Sequence, residues 1–508
     1  MKLFQKIENH LGIGLFSIFL VIGLLTYQQY GLTWDADAQR EIGQKNYAYV
    51  FEGGEDGWEN WQNKDYGAIF ELPLYYSEQL FGLTDTQDIF RFRHFAVHFF
   101  FLIGAFFFFK LVDLLYDNKL LAAIGFLMLV LHPRIYGHSF FNTKDLSFLS
   151  MFIIAMYQTA VAFRRKTIWN AVLLGVAIAL VVNMRILGIM IPTLVFVMLV
   201  IDFIEEHQTK VNLLFGGTVA LVSSLLLYAI WPYLWGDPFG NFQKIFENMS
   251  KFRWDGSVLF NGNKIQSTDL PWTYELTWFG ITTPILYLIV GICSIFLLAF
   301  RVLKKPQIFI KNNLERNNII FAATFFGPVF MIILLHSVVY DGWRHLFFIY
   351  PSFILLGIYG LNFLFEKHYG KWVVGVFLIV FSFVGWSIIQ AFPNEHVLFN
   401  RIVTGESDDS VRKRFELDYW GVSYKQALEY LLAIDSASEI LVSVENYPGK
   451  SNRAILSKSQ RKRIRFVSKD EATYFISNFR YHPMDYPYTS IHKIKVGGNT
   501  INEIFKLK

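Results

Sequence analysis

Residues 11–37 read LGIGLFSIFLVIGLLTYQQYGLTWDAD. Residues 11–30 carry no charged side chain, and about 20 apolar residues in an α-helix match the hydrocarbon thickness of a bilayer. Lys2 and Lys6 precede this run, which gives it the outline of a secretion signal. It is long for a signal core, however, and continues into Tyr27-Gln28-Gln29-Tyr30 and Trp34, where cleavage needs small residues, so it reads as a retained span. Directly beyond it stand Asp35 and Asp37. A carboxylate at the water–lipid boundary loses part of its hydration, which makes both acids candidates for function.

The rest of the chain repeats the pattern of this first run. Of 508 residues, 54% are hydrophobic and 18% aromatic, with 53 phenylalanines and a mean hydropathy of +0.35. That composition excludes an ordinary soluble domain. The runs are long and do not alternate, so helices rather than barrel strands satisfy the backbone in lipid. Eleven spans are predicted, near residues 11–30, 94–113, 120–134, 146–163, 168–184, 186–204, 211–231, 281–300, 319–338, 346–364 and 372–391, the fifth and sixth as a tight pair around Asn183-Met184-Arg185. Short basic loops (Lys2 and Lys6; Arg164-Arg165-Lys166; Lys304, Lys305, Lys311 and Arg316; Lys367 and Lys371) fall on alternate sides. By the positive-inside rule they set the N-terminus in the cytoplasm, with the loops after the first, third, seventh, ninth and eleventh spans facing outward. The fold class expected is an α-helical polytopic protein of the cytoplasmic (inner) membrane. Its lone cysteine, Cys293, falls in a predicted span and forms no intrachain disulfide.

Two outward loops, near 31–93 and 232–280, are long and rich in Trp and Tyr, as expected of short amphipathic helices and an aromatic girdle at the headgroups. A membrane domain of residues 1–392 is followed, where hydrophobicity collapses, by a tail of residues 393–508. The tail reads as a small extracytoplasmic α/β domain: a helix at 424–432, strands at 439–444, 464–468 and 473–477, and a hairpin of 491–496 with 501–507 around Gly497-Gly498-Asn499. From residue 401 onward 18 Lys and Arg face 13 Asp and Glu, so the tail carries the whole net charge of +5. Its run Arg461-Lys462-Arg463-Ile464-Arg465 suits either anionic headgroups or plain solvation. Nothing in this balance points to nucleic acid.

Three further outward segments are dense in polar groups. The stretch 132–145, from His132-Pro133-Arg134 to Asn142-Thr143-Lys144-Asp145, has the polarity of a cavity lining. Arg185 stands at a turn between spans, where it can snorkel or bind phosphate. Tyr340-Asp341-Gly342-Trp343-Arg344-His345 fills a turn so short that Arg344 and His345 are pinned at the surface, a fixed fork of donors suited to phosphate. His94 and His98 have the spacing of a helical metal pair, but no third ligand is indicated and interfacial anchoring is the expected role. Glu55, Asp56 and Glu59 match a calcium loop in charge but not in spacing, so no metal is assigned. For Asp35 and Asp145, helix capping stands beside a catalytic role.

The order of an acid after the first span, an outer loop ending in Lys144-Asp145, and an Arg344-His345 turn before a late span resembles the GT-C glycosyltransferases. The likeness is to the bacterial branch akin to protein O-mannosyltransferases and aminoarabinose (lipid A) transferases. Asn394-Glu395-His396-Val397-Leu398-Phe399-Asn400 and Phe415-Glu416-Leu417-Asp418-Tyr419-Trp420-Gly421 are similar to stretches that recur in bacterial members. The resemblance covers the membrane part by layout. It implies inverting transfer of a hexosyl or pentosyl group from a polyprenyl-phosphate-linked sugar to a glycan, lipid or protein acceptor at the outer membrane face, without a cofactor. Where the family carries an Asp-Glu dyad, this chain has Asp35 followed by Ala36, with a second acid only at Asp37. Asp145 matches the family's second acidic position and Arg344 its late-loop arginine; Lys144, Arg185 and His345 join them by position alone. An acceptor must lose a proton as it attacks, which casts Asp35 as the base. The departing phosphate gains charge, which casts Arg344 and Lys144 as its stabilisers. A transporter or flippase of an anionic lipid or solute would also need buried cations. Against that reading, no repeated hydropathy pattern is present and the candidates cluster at one face.

Overall fold

The computed structural model describes residues 2–54, 58, 61–205, 209–250, 254–307, 313–403 and 408–508. The loop acids Glu55, Asp56 and Glu59, and Lys311, lie outside the described residues. Each of the eleven apolar runs is helical. Nine helices among the described residues are long and apolar enough to cross a membrane: His10–Gln29, Thr86–Tyr116, Asp145–Arg164, Ile186–Glu205, Thr209–Ile230, Ile285–Lys304, Leu314–Leu335, Arg344–Glu366 and Gly370–Ala391. Ile168–Met184 is apolar but only 17 residues long.

The remaining run is broken. Lys119–Val130 is followed by Pro133–Phe141 at a bend of 66°. Pro133 has no N–H to continue the first helix and instead opens the second, a position where that donor is not needed. The polar stretch expected as an outer loop is therefore largely a helix packed inside the bundle. Arg134, His138 and Ser139 are fully buried on it. His94 and His98 are buried rather than set at the membrane interface, and His98 faces this helix: its Nδ1 lies 2.9 Å from Ser139 Oγ, and its ring stacks on Phe140 at 4.1 Å.

The loop 31–93 folds as two helices, Ala36–Phe51 and Glu71–Leu80. They touch closely because Gly43 has no side chain; a Cβ there would stand 2.4 Å from the Glu71 carbonyl oxygen. Buried Arg93 clamps the second of them to the long helix Thr86–Tyr116 by pairing with Glu71 and with Glu78 (2.7 Å), and Arg40 on the first pairs with Glu78 at 2.9 Å. Burial raises the Glu71 carboxyl above its ordinary range, although Arg93 opposes the shift. The loop 232–280 forms the helix Pro238–Ser250, the hairpin β1 (Ser257–Phe260) and β2 (Asn263–Gln266), and the helix Tyr274–Thr282. Trp231 and Trp278, expected in an interfacial girdle, are instead core residues, and Trp272 remains exposed.

The tail adds β3 (Ile440–Val444), β4 (Ile464–Phe466), β5 (Tyr474–Ser477), β6 (Thr489–Val496) and β7 (Asn499–Lys506), in the order β4-β3-β5-β7-β6. β3 pairs in parallel with β4 and β5; β7 pairs antiparallel with β5 and β6. The helix Tyr424–Ile434 lays its apolar stripe, including Leu428 and Leu431, into the core.

This domain is locked onto the membrane part. The Asn452 side chain accepts from the Leu32 amide (2.8 Å) and donates to the Leu32 carbonyl (2.9 Å), binding the chain just ahead of Asp35. Arg461 is not solvated but forks onto Asp85 (2.6 and 2.8 Å); desolvation raises the Asp85 carboxyl, but the Gln87 amide and the Arg461 guanidinium together outweigh it and hold the carboxyl below its ordinary value. Tyr30 donates to Glu395 at 3.0 Å, and burial pushes the Glu395 carboxyl up to about 8.

Candidate active site

Arg344 is the centre of the site. The chain reaches it through a sharp turn in which Asp341 (φ 58°) and Gly342 (φ 70°) both adopt the left-handed region, a conformation that Asp tolerates and Gly takes without strain. The Tyr274 hydroxyl accepts the Gly342 amide at 3.1 Å and fixes the turn. The Arg344 guanidinium, 3% exposed, lies between the rings of Tyr340 (4.8 Å) and Trp420 (4.6 Å). Three carboxylates surround it: Asp145 at 3.3 Å, Asp341 at 3.3 Å and Asp35 at 3.8 Å.

These three acids differ in what they can do. Asp145 is buried at the start of its helix and pairs with both Arg185 and Arg344, while Asn142 Nδ2 donates to it at 2.9 Å and Asn142 Oδ1 accepts its amide. With both oxygens engaged, it is built to hold two arginines in place. Asp341 is likewise shared, between Arg344 and Arg480 (2.9 Å). Asp35 precedes the helix Ala36–Phe51 but makes no side-chain cap hydrogen bond, and 38% of its side chain is exposed. A carboxylate so placed can accept a proton from an incoming group. Asp37 is held apart from this cluster: it accepts from the Tyr447 hydroxyl at 2.8 Å and faces an open groove.

The cations line the space next to Asp35. A cavity of about 340 Å³ has Lys144 and Arg185 in its wall with Tyr66, Trp231, Trp254 and Tyr340. A small neighbouring cavity holds Asp35, Asn142, Thr143 and Trp420, and Lys144 belongs to both. Lys144 Nζ sits 4.1 Å from the centre of the Tyr66 ring and makes no ion pair among the described residues. Arg185 pairs with Asp145 and is 16% exposed. The half-buried His345 ring meets Tyr340 edge-on at 4.8 Å, and its Nδ1 has no hydrogen-bond partner among the described residues. Six of the seven residues expected from sequence are thus drawn to one locality around the two cavities, with Asp37 on its far side.

Four contributors were missed. Asp341 lies in the turn whose Arg344 and His345 draw the eye, and only the folded chain shows it pairing with two arginines. Trp420 falls in the stretch 415–421 singled out by resemblance, yet only the folded tail carries it to Arg344. Arg480 follows β5, where no motif marks it. Desolvation disfavours its charge, but the Asp341 and Glu416 carboxylates outweigh this and hold it above its ordinary value. Glu275 is buried, and neither of its oxygens has a hydrogen-bond partner among the described residues; burial pushes its carboxyl well above the usual range against the opposing charge of Arg344. The other recurring stretch, 394–400, meets this region through His396, whose Nε2 lies 3.0 Å from Asp418 Oδ1. Among the described residues no group of three or more His, Cys, Asp or Glu is placed to hold a metal ion.

No protein-family model matches the chain, and no curated protein matches it. Solved structures do. ArnT from Cupriavidus metallidurans bound to undecaprenyl phosphate aligns over 97% of this chain and 97% of its own, at a TM-score of 0.51 and 13% identity. The Archaeoglobus fulgidus oligosaccharyltransferase in the apo form aligns over 91% of this chain and 65% of its own, at a TM-score of 0.50 and 10% identity. The chain therefore shares the architecture of these membrane enzymes, the GT-C fold expected from the sequence.

Proposed function

We propose that the chain is a membrane glycosyltransferase that moves a sugar from a polyprenyl-phosphate-linked donor to an acceptor, with inversion, at the outer face of the cytoplasmic membrane. The observation that carries the reading is the pairing of a partly exposed, uncapped Asp35 with a cavity walled by Lys144 and Arg185, joined through Arg344. The fold shared with a protein described as bound to undecaprenyl phosphate supports it.

In this reading the lipid phosphate rests against Lys144 and Arg185, with Arg344 and His345 behind them. These donors are held before the reaction begins, so the charge that grows on the departing phosphate meets dipoles and cations that need not reorganise. Asp35 takes the proton from the acceptor hydroxyl or amine as it attacks the anomeric carbon from the side opposite the phosphate. Proton transfer of this kind contributes about 10²–10⁴ in rate. Asp145 and Asp341 keep the arginines oriented, and Trp420 shields the site from water. The donor's isoprenoid chain stays in lipid, which requires a site at the ends of the spans, where all these residues lie.

The test is purified protein in nanodiscs offered a radiolabelled polyprenyl-phosphate sugar. Release of free polyprenyl phosphate that is lost in Asp35→Asn supports the proposal. Label carried intact across sealed vesicles, without cleavage, assigns the chain to transport instead.

A further inference from the structure

The small cavity that Asp35 lines also reaches Asn142 and Lys144, which belong to the short junction between the helices Pro133–Phe141 and Asp145–Arg164. A line of hydrogen bonds runs inward from this junction, through residues that the reaction just described does not use. Asn142 Nδ2 lies 2.9 Å from Asp145 Oδ2 and 3.0 Å from His138 Nδ1. His138 Nε2 lies 3.2 Å from the Tyr419 hydroxyl oxygen, which also accepts from Arg134 Nη1 at 3.4 Å. Asn142, His138, Tyr419 and Arg134 are all buried, so no bulk water competes for these bonds.

The direction of every bond in the line is determined. The Asp145 backbone amide can only donate, so the Asn142 oxygen that accepts it at 2.9 Å fixes which end of the side-chain amide is the NH2 group. That group has one hydrogen for Asp145 Oδ2 and one for His138 Nδ1. Nδ1 is therefore bare, and the single proton of a neutral imidazole stands on Nε2, which donates it to Tyr419. The other tautomer, or an imidazolium, would set an N–H against the Asn142 NH2. Resting on the transferase reading, we infer that His138, as its Nε2–H tautomer, is a positioning residue of the reaction: it orients Asn142, and through Asn142 both Asp145 and the junction that carries Lys144. Asp145 in turn holds Arg185 and Arg344. One imidazole nitrogen thus governs the placement of Lys144, Arg185 and Arg344 around the departing phosphate. Charges held in place before the reaction stabilise the charge that develops, and a misplacement of about 1 Å can cost about 10² in rate. Tyr419 belongs to the tail, so the line also makes this geometry depend on the docked domain.

The experiment measures single-turnover cleavage of a polyprenyl-phosphate sugar by the full chain in nanodiscs, for wild type, His138→Gln and His138→Asn, with donor affinity and thermal midpoint recorded for each. Glutamine keeps a donor near the Nε2 position and loses the acceptor at Nδ1; asparagine does the reverse. The rate in His138→Gln should fall about thirtyfold or more, with donor affinity within about threefold of wild type because Lys144 and Arg185 keep their charge. His138→Asn should run about ten times faster than His138→Gln. Nitrogen-15 NMR of the labelled histidines, with the His138 signal identified by its absence from His138→Gln, should show the Nε2–H tautomer in the wild type. A His138→Gln rate within about threefold of wild type overturns the inference, as do equal losses in the two variants, or an Nδ1–H or doubly protonated ring. Where both variants melt early, the wild-type spectrum decides. Failure here is separable from failure of the transferase reading. Donor cleavage by the wild type, lost in Asp35→Asn, upholds that reading whatever the His138 variants do; a wild type that cleaves no donor removes the reading and this role together.

Discussion

Asp35→Asn separates chemistry from structure more cleanly than any other change in this site. Asparagine keeps the volume of the side chain and removes its charge and its basicity. Structurally, what disappears is one ion pair at 3.8 Å from a side chain 38% exposed, with no cap hydrogen bond to lose. A pair so exposed contributes about 0–1 kcal/mol. Arg344 meanwhile keeps Asp145 and Asp341, each at 3.3 Å. The catalytic loss should be much larger: about 10²–10⁴ in kcat, which at ~1.36 kcal/mol per decade is about 3–5 kcal/mol in the barrier. The assay follows polyprenyl phosphate release under single-turnover conditions and records the thermal midpoint of the same nanodisc preparation. A variant within about threefold of wild type in turnover refutes the role of Asp35. So does a collapse of the midpoint that accounts for the lost activity, because the side chain would then be a structural element.

Arg344→Met leaves Asp145 paired with Arg185 and Asp341 with Arg480, so its stability loss should sit near the lower end of the ~3–5 kcal/mol seen when a buried ion pair loses one partner. Its kcat should fall by about 10²–10³, with partial rescue in Arg344→Lys; activity tracking stability alone counts against a role in leaving-group departure. Gly67→Ala would drive a Cβ to 1.4 Å from the Asn183 carbonyl oxygen, forcing apart the loop that Asn183 holds through the Ile69 amide (3.0 Å) and spoiling the cavity beside Lys144. Donor KM should rise sharply, and a wild-type KM would show that this wall is not in use. Glu395 has a folded-state carboxyl near 8 against an unfolded value of about 4.3, so the folded state binds the extra proton and stability falls as pH rises between those values. Glu395→Gln should therefore melt higher than wild type at pH 8 and equal to it at pH 4; equal midpoints at both would place a charged carboxylate there at no cost.

What was legible in the sequence follows from how far each signal reaches. Apolar length is local, so every apolar run long enough to span is legible as a helix, and the tail strands are legible within a residue or two because alternation and the Gly497-Gly498 turn are local too. The bend at Pro133 was not found, because whether a proline ends a span or turns it inward depends on what the next helix packs against. The girdle reading of Trp231 and Trp278 failed for a related reason: composition does not separate a tryptophan at the headgroups from one in the bundle. Asp35, Lys144, Arg185 and Arg344 stood out because charge beside apolar runs is conspicuous. Arg480 did not, since it lies in a polar tail where arginine is ordinary, and its importance exists only once β5 carries it to Asp341.

The long-range link also explains how so many charges share one buried place. Arg185, Asp145, Arg344, Asp341 and Arg480 form an alternating row in which each interior member is flanked by two opposite charges. Taking an isolated ion out of water costs several kcal/mol, and alternation offsets much of that for every member at once. The row begins in the membrane part and ends in the tail, so the arginines reach their working geometry only when Asn452 and Arg461 have docked the domain. Of the charged residues lining the two cavities, Asp35 has one distant partner and Lys144 has no ion pair among the described residues. A fold that neutralises this row in series and leaves Asp35 and Lys144 under-compensated, in adjoining cavities, holds unspent electrostatics where the proposed reaction needs a proton to leave and a phosphate to settle.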